Sequence, residues 1–183
     1  MAVWFTSDLH FGHERLINGL RKQTVEENAQ LIIKNWNDVV HKKDIVYLLG
    51  DVVMEEPKLV YPYLKQLKGQ IYYIGGNHDD RKVCETIAAM GIPIMGCVEY
   101  KGYICTHIPI IQSEVKFFKG NIHGHIHLAT TQNPDIINNP FDPINKYYNV
   151  NTEFHNYTPV SFEQINKFFE ENKHLKNDTT QGT

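Results

Sequence analysis

Five times in this chain a short run of β-branched and aromatic residues ends directly in residues able to ligate a metal. Residues 3–6 run into Asp8-Leu9-His10, residues 45–49 into Gly50-Asp51, and residues 71–74 into Gly75-Gly76-Asn77-His78-Asp79. Residues 103–106 lead to His107, and residues 121–123 to Gly124-His125-Ile126-His127. Each run has the length and composition of a strand. In α/β sheets the crevice beyond the carboxyl ends of the strands is where ligands bind. Five strands delivering Asp8, His10, Asp51, Asn77, His107, His125 and His127 to one rim predict a metal site of imidazole nitrogens with carboxylate and amide oxygens. Glycines 50, 75, 76 and 124 are expected to let the backbone turn sharply as it leaves each strand. Taken singly, Asp-x-His is most often a turn or a helix cap, and a lone histidine most often a satisfied core residue. The weight lies in all five motifs occurring in order.

The rest of the chain supplies what such a sheet needs. Val25, Ala29, Ile32, Trp36 and Val39 share one face of a predicted helix, and Thr24 with Glu27 forms a capping box at its start. Residues 57–67 and 81–90 read as helical, and a last helix opens at Ser161, capped with Gln164, and runs through Phe168-Phe169. Strand and helix alternate in the first half and strands dominate the second, which implies a layered α/β domain. One domain over residues 1–173 is expected, with an exposed loop at 129–145 and a frayed polar tail at 174–183. A chain of 183 residues buries enough surface, about 70%, to fold without staples.

Composition excludes several classes. The formal charge of −3 and the lack of any long basic run argue against a non-specific nucleic-acid or membrane-surface binder. No apolar run nears the ~20 residues of a membrane span. The N-terminus enters Ala2-Val3-Trp4-Phe5 with no basic leader, so no signal peptide is expected. Cys84, Cys97 and Cys105 have no C-x-x-C spacing and read as reduced thiols of a cytoplasmic protein. Seven ligand-type residues are too many for one ion and suit two, with a shared Asp able to hold them ~3.5–4 Å apart. Without a thiolate, the set favours Mn, Fe, Zn or Ni, and the amide oxygen of Asn77 leans toward Mn.

In order, Asp8-x-His10, Gly50-Asp51, Gly76-Asn77-His78-Asp79, His107 and Gly124-His125-x-His127 resemble the motifs of the calcineurin-like metallophosphoesterase superfamily. The opening Trp4 to His13, with Asn35-Trp36-Asn37 and the stretch from Asn149-Val150-Asn151 to Pro159-Val160-Ser161, is similar to small single-domain phosphoesterases of bacteria and phages. The resemblance spans about residues 2 to 170. It implies a four-layer α/β/β/α sandwich with the site at the strand ends. It implies further that Asp8, His10, Asp51 and His127 hold one metal, and that Asp51, Asn77, His107 and His125 hold the other, with Asp51 bridging. His78 matches the family's proton donor to the leaving oxygen, oriented by either Asp8 or Asp79. An Arg-Pro pair is usual near Arg21, a candidate phosphate clamp, although Lys22 stands where the proline would be.

His13 and Arg81 are further candidates for touching substrate, whereas His123 reads as structural and His41, His155 and His174 as surface or packing residues. The family's protein phosphatases carry an Asp and an Arg soon after Gly-Asp; here Val52-Val53-Met54-Glu55 follows, without arginine, which argues against a phosphoprotein substrate. The expected activity is hydrolysis of small phosphodiesters such as nucleotides. A nuclease is disfavoured by the charge, and a non-catalytic scaffold by His78, since a scaffold needs no proton donor.

Overall fold

The computed structural model describes residues 1–54, 57–127, 141–142, 144 and 146–173. The chain opens with strand β1 (Val3–Thr6), a short helix α1 (Glu14–Leu16) that continues as a π-helical turn (Ile17–Arg21), and the long helix α2 (Val25–Val39). Then come β2 (Ile45–Leu49), α3 (Val60–Leu64), β3 (Gln70–Ile74), α4 (Arg81–Ala89), β4 (Ile94–Met95), β5 (Val98–Tyr100) and β6 (Tyr103–Cys105). The second half holds α5 (Gln112–Val115), β7 (Gly120–His123), β8 (Phe141–Asp142), β9 (Tyr147–Asn149), β10 (Val160–Ser161) and α6 (Phe162–Glu171).

Two five-stranded sheets result, in the orders β10-β1-β2-β3-β4 and β5-β6-β7-β9-β8. β1 to β4 run parallel, as do β6, β7 and β9, so each sheet presents a row of carboxyl ends. Side chains alternate across the first sheet. Val46 and Leu48 face a core shared with α2 to α4, around the fully buried Trp36, while Phe5, Leu49 and Ile74 face the second sheet's Cys105, Ile122 and Val150. Helix α6 wedges Phe162, Ile165 and Phe169 into that inter-sheet core. Over the outer face of the second sheet lies a thin layer, α5 and the segment before it. Ile110 is held there by Asn121 Oδ1 (3.0 Å) and by the Tyr147 hydroxyl (2.7 Å). The α/β/β/α order expected from the sequence therefore stands.

Both capping boxes form, at Thr24–Glu27 and at Ser161–Gln164. The helix expected over 57–67 is shorter: a 3₁₀ turn (Pro57–Leu59) precedes α3, which stops at Leu64. Pro62 falls in the first turn of α3, where a missing N–H leaves no bond unmade. Of the loop expected at 129–145, residues 129–140, 143 and 145 lie outside the described residues, as does the tail at 174–183. Phe141–Asp142 corrects that expectation. It pairs with β9 as a strand because the Phe141 ring packs on Tyr148, with centroids 5.1 Å apart. Among the described residues no helix is long and apolar enough to cross a membrane.

The cap of α6 gives a stability test remote from the strand exits, because Ser161 pairs with Trp4 toward the opposite end of β1. Ser161→Ala should cost about 1 kcal/mol, which lowers the melting temperature of a chain this size by about 2–4 °C. Divalent-cation affinity should not change. Co-melting of the variant with the parent would show that the cap contributes nothing.

Candidate metal centre

The strand exits of the two sheets meet edge to edge. Ser7, just past β1, bridges Asn151, just past β9, and Thr152 N–H donates to the Ser7 carbonyl at 3.2 Å. Asp8 N–H donates to the Gly50 carbonyl (3.1 Å) and His10 N–H to the Asp51 carbonyl (3.0 Å), which ties the β1 and β2 exits together. The sharp turns are made by the ligand-type residues themselves. Asp8, His10, Asp51 and His125 all adopt positive φ, between 48° and 67°. The expected role of the glycines is corrected accordingly: of the four, Gly50 alone has positive φ (84°). Gly76 and Gly124 are needed for space. A Cβ on Gly76 would collide with Asp51 Oδ1, and one on Gly124 with Ser7 Oγ and with Asp8 Oδ2.

Two groups of side chains converge at this junction. Asp8, His10 and His127 form one, and Asp51, His107 and His125 the other, with the ligand atoms of each group all within 4.8 Å of one another. Asn77 joins the second through Oδ1, 2.8 Å from His107 Nε2. Each carboxylate is divided between backbone and cluster. Asp8 Oδ2 accepts from the Ser7 hydroxyl and from His125 N–H (2.9 Å), while Oδ1 stands 3.8 Å from His10 Nε2 and 3.6 Å from His127 Nε2. Asp51 Oδ1 accepts from His78 N–H (3.0 Å), while Oδ2 lies 3.7 Å from His10 Nε2 and 3.4 Å from His107 Nε2. That oxygen is shared by the two groups.

Apart from the Asp51–His107 pair, these separations are too long for hydrogen bonds, and all of them suit atoms arranged around an ion. Donors bound at about 2.0–2.2 Å to one cation stand about 3.4 Å apart in a tetrahedral shell. Asp8 Oδ1 and His10 Nε2 are buried with no hydrogen-bond partner, a state that natural proteins avoid unless something else binds the atoms. The imidazoles are also oriented from behind. His107 Nδ1 donates to the Leu49 carbonyl (2.7 Å) and His127 Nδ1 to the Glu153 carboxylate (2.8 Å), which turns both Nε2 atoms inward. The residues present therefore fit two divalent cations.

The electrostatics fit as well. Burial raises the Asp8 carboxyl and depresses His10 well below its usual range. Burial would also raise Asp51, but the hydrogen bond and charge of His107 outweigh it and hold Asp51 at about 2. The same pairing, working against burial, lifts His107 to about 9. Without a cation, these carboxylates draw their positive partner from an imidazolium, and a bound cation displaces that proton.

His78 is exposed at the rim, with its ring 5.7 Å from that of His10. Neither carboxylate offered as its orienter makes a hydrogen bond to its ring among the described residues. Asp79 instead holds the loop, its Oδ2 accepting from Gly76 N–H (2.6 Å), Asp51 N–H (3.0 Å) and the Tyr73 hydroxyl (2.6 Å). His13 also reaches the cluster, with its ring 5.7 Å from His10. Arg81 stays on the exposed start of α4, 3.6 Å from Glu85. His123 is a core residue, bonded through Nδ1 to the Gly124 carbonyl and lowered to about 4 by burial. His155 is pinned to the Asn149 carbonyl, and His41 is exposed.

Arg21 departs from its expected place as a phosphate clamp. It is 7% exposed and its guanidinium is turned into the chain. It donates to the Asp8 carbonyl (2.7 Å), the Leu9 carbonyl (2.9 Å), Asn28 Oδ1 (3.0 Å) and Glu153 (3.1 Å). Four of its five N–H groups are thereby engaged by protein acceptors. Lys22 after it has φ of 56°, a conformation closed to proline, which accounts for the departure from the family's Arg-Pro pair. Sequence reasoning missed Glu153, Asn149 and Asn151. Asn149 and Asn151 both donate to the Ile126 carbonyl and so fix the loop that carries His125 and His127. For the two asparagines the signal was available, because β9 is a sixth strand run that ends in polar residues.

Comparisons with known proteins agree with this geometry. The chain is 36% identical over 177 residues to protein MJ1445 of Methanocaldococcus jannaschii, covering 93% of each. It is 40% identical over 82 residues to the Gene 66 protein of Mycobacterium phage L5, covering 42% of this chain and 39% of that one. The crystal structure of AQ665 from Aquifex aeolicus superposes with a TM-score of 0.68 at 25% identity, covering 91% of this chain and 98% of that one. The family model that describes calcineurin-like phosphoesterases matches residues 1–179, and the chain belongs to that family.

Proposed function

We propose that this protein is a binuclear metal-dependent phosphoesterase that hydrolyses small phosphodiesters, nucleotides among them, with His78 as general acid. The observation that carries the reading is the pair of ligand groups sharing Asp51 Oδ2, with an exposed histidine at their rim. Asp8, His10, Asp51 and His127 would hold one cation, and Asp51, Asn77, His107 and His125 the other. Two such cations supply activated water near neutral pH and neutralise phosphoryl oxygens. Manganese is the metal that the mixture of imidazole, carboxylate and Asn77 amide oxygen favours, with Fe, Zn and Ni as the alternatives. The unpaired cysteines suit a reducing, cytoplasmic setting.

The chain's own residues do the rest. His78 is positioned through its backbone, which Asp51 anchors, and its exposed ring can exchange protons with solvent between turnovers. Beside Asn77 and His107 lies a hollow of about 350 Å³, lined also by Gly75, Gly76, Gly96, Thr106 and Ile108. Its size suits the alcohol half of a small diester. A monoester carries an extra negative charge, which enzymes meet with arginine. Arg21 is engaged by four protein acceptors and Arg81 lies beside Glu85, so both arginine candidates favour the diester reading.

Three outcomes test the proposal. Chelation should abolish turnover of a chromogenic diester, Mn²⁺ should restore it, and Asp51→Asn should weaken both binding events in calorimetry. Two metals bound with unchanged affinity by Asp51→Asn would refute the shared ligand. Next, kcat/KM should favour a diester over its matched monoester, and the reverse preference would sink the substrate class. Finally, His78→Ala should keep its metals yet lose roughly 10²–10⁴-fold in rate with an alkyl or sugar leaving group. With nitrophenolate, which departs unaided, the loss should be far smaller. Equal losses with both leaving groups, or lost metal, would rule out a proton donor.

A further inference from the structure

Behind the first ligand group lies a buried ion pair that belongs to neither sheet alone. Arg21 ends the π-helical turn after β1, in the first sheet's half of the fold. Glu153 lies in the 3₁₀ turn (Thr152–His155) that follows β9 of the second sheet. The two side chains are 0% and 1% exposed, with Nε 3.1 Å from Oε1. Glu153 Oε1 is also the atom that His127 Nδ1 reaches at 2.8 Å. On its other side Arg21 grips the carbonyls of Asp8 and Leu9, at 2.7 and 2.9 Å. Those carbonyls belong to the strained turn in which Asp8 and His10 both have positive φ. Asn28 Oδ1 on α2 and the Tyr157 ring, 5.6 Å from the guanidinium carbon, complete the enclosure of Arg21.

A buried ion pair adds little net stability, because desolvation of both charges offsets their attraction. Its use here is geometric. Arg21 reaches all three members of the first group: Asp8 through its own carbonyl, His10 through the Leu9 carbonyl of its peptide bond, and His127 through Glu153. In the second group the Leu49 carbonyl orients His107 and the Asp79 carboxylate holds the Asn77 loop, and the link to Asp8 runs through the His125 backbone N–H, not its ring. Resting on the metallophosphoesterase reading above, we infer that Arg21 and Glu153 are positioning residues for the first metal site alone. They lock the Asp8–His10 turn to His127 across the two sheets. Glu153 fixes the His127 tautomer and increases its basicity as a ligand. Arginine is required rather than lysine because one planar fork must serve acceptors that lie in several directions.

The test is calorimetric titration of chelator-stripped protein with Mn²⁺ and Zn²⁺, using Glu153→Gln, which keeps the size and an acceptor for His127. Arg21→Lys serves as an independent second variant. Each should weaken one of two binding events by about 10–100-fold and leave the other within a few-fold. Backgrounds assign the site. With His125→Ala, which cripples the second group, Glu153→Gln should weaken the remaining event; with His10→Ala, which cripples the first, it should change nothing. A purely structural role would instead lower the melting temperature of the stripped protein and weaken both events alike, and that result would overturn the inference. Unaltered binding in both variants would overturn it too. Failure of the parent chain to take up any divalent ion would overturn the metal reading itself, a different result from two intact events that ignore Glu153.

Discussion

Asp8 and Asp51 each turn one carboxylate oxygen to backbone N–H groups and the other to a cluster of imidazoles, and the rest of the molecule is arranged around that division. The backbone-facing oxygens hold loops from different strands in register: Asp8 holds His125, and Asp51 holds His78. The inward oxygens carry negative charge out of contact with bulk solvent, with Asp8 0% and Asp51 1% exposed. A buried charge is tolerable only if a partner is fixed beside it. Imidazolium fills that role in part, but the unpartnered Asp8 Oδ1 and His10 Nε2 show that protons alone leave the cluster unsatisfied. Cations would complete it, and because they would bind only the folded arrangement they would stabilise it.

Gathering the strand exits of two face-packed sheets at one junction imposes a second requirement, since they must approach until backbone meets backbone. At Gly50 an added Cβ would lie 2.6 Å from both Gly76 Cα and His107 Nδ1, so three exits are packed through one point. Besides the inward-pointing ligands, Ser7 and Asp79 enter this seam, each hydrogen-bonded within it. The left-handed turns at Asp8, His10, Asp51 and His125 follow from the same crowding. Each costs of order 1–3 kcal/mol, and they persist because the surrounding hydrogen bonds permit no alternative. Strain is thus placed in the residues that face the cluster, while the glycines supply clearance.

Much of this was legible before any coordinates, for identifiable reasons. Strand exits could be read because a run of β-branched residues ending in Asp or His is informative at both ends, and the long helix because its apolar period and its capping box agree. Elements of two or three residues, β4, β5, β8 and β10, carry no period to read, and β8 was hidden in a stretch rich in Pro and Asn. The glycine roles were misassigned because sequence does not distinguish a residue needed for its φ from one needed for its lack of a side chain. Glu153 was missed because it acts through His127 from a different sheet, and nothing local marks such a relation. The side chains that converge were visible; the residues that hold them were not.

Arg21 shows how the two kinds of information combine. The family resemblance marks Arg21 as a candidate phosphate clamp, a role for which guanidinium geometry is well matched. The same fork matches backbone carbonyls, and the choice between them is settled by what lies within reach. Here the π-helical turn ends at Lys22 in a left-handed conformation, and Arg21 is carried under the β1 exit rather than out into the cleft. Its charge then serves the fold's most strained turn and the carboxylate behind His127. The cleft is left without that cation. On the proposed reading, substrate charge beyond a diester's single one would have to be met by the cations and by side chains other than Arg21. On that reading the residue that braces the first ligand group is also the one whose withdrawal would narrow what the site accepts.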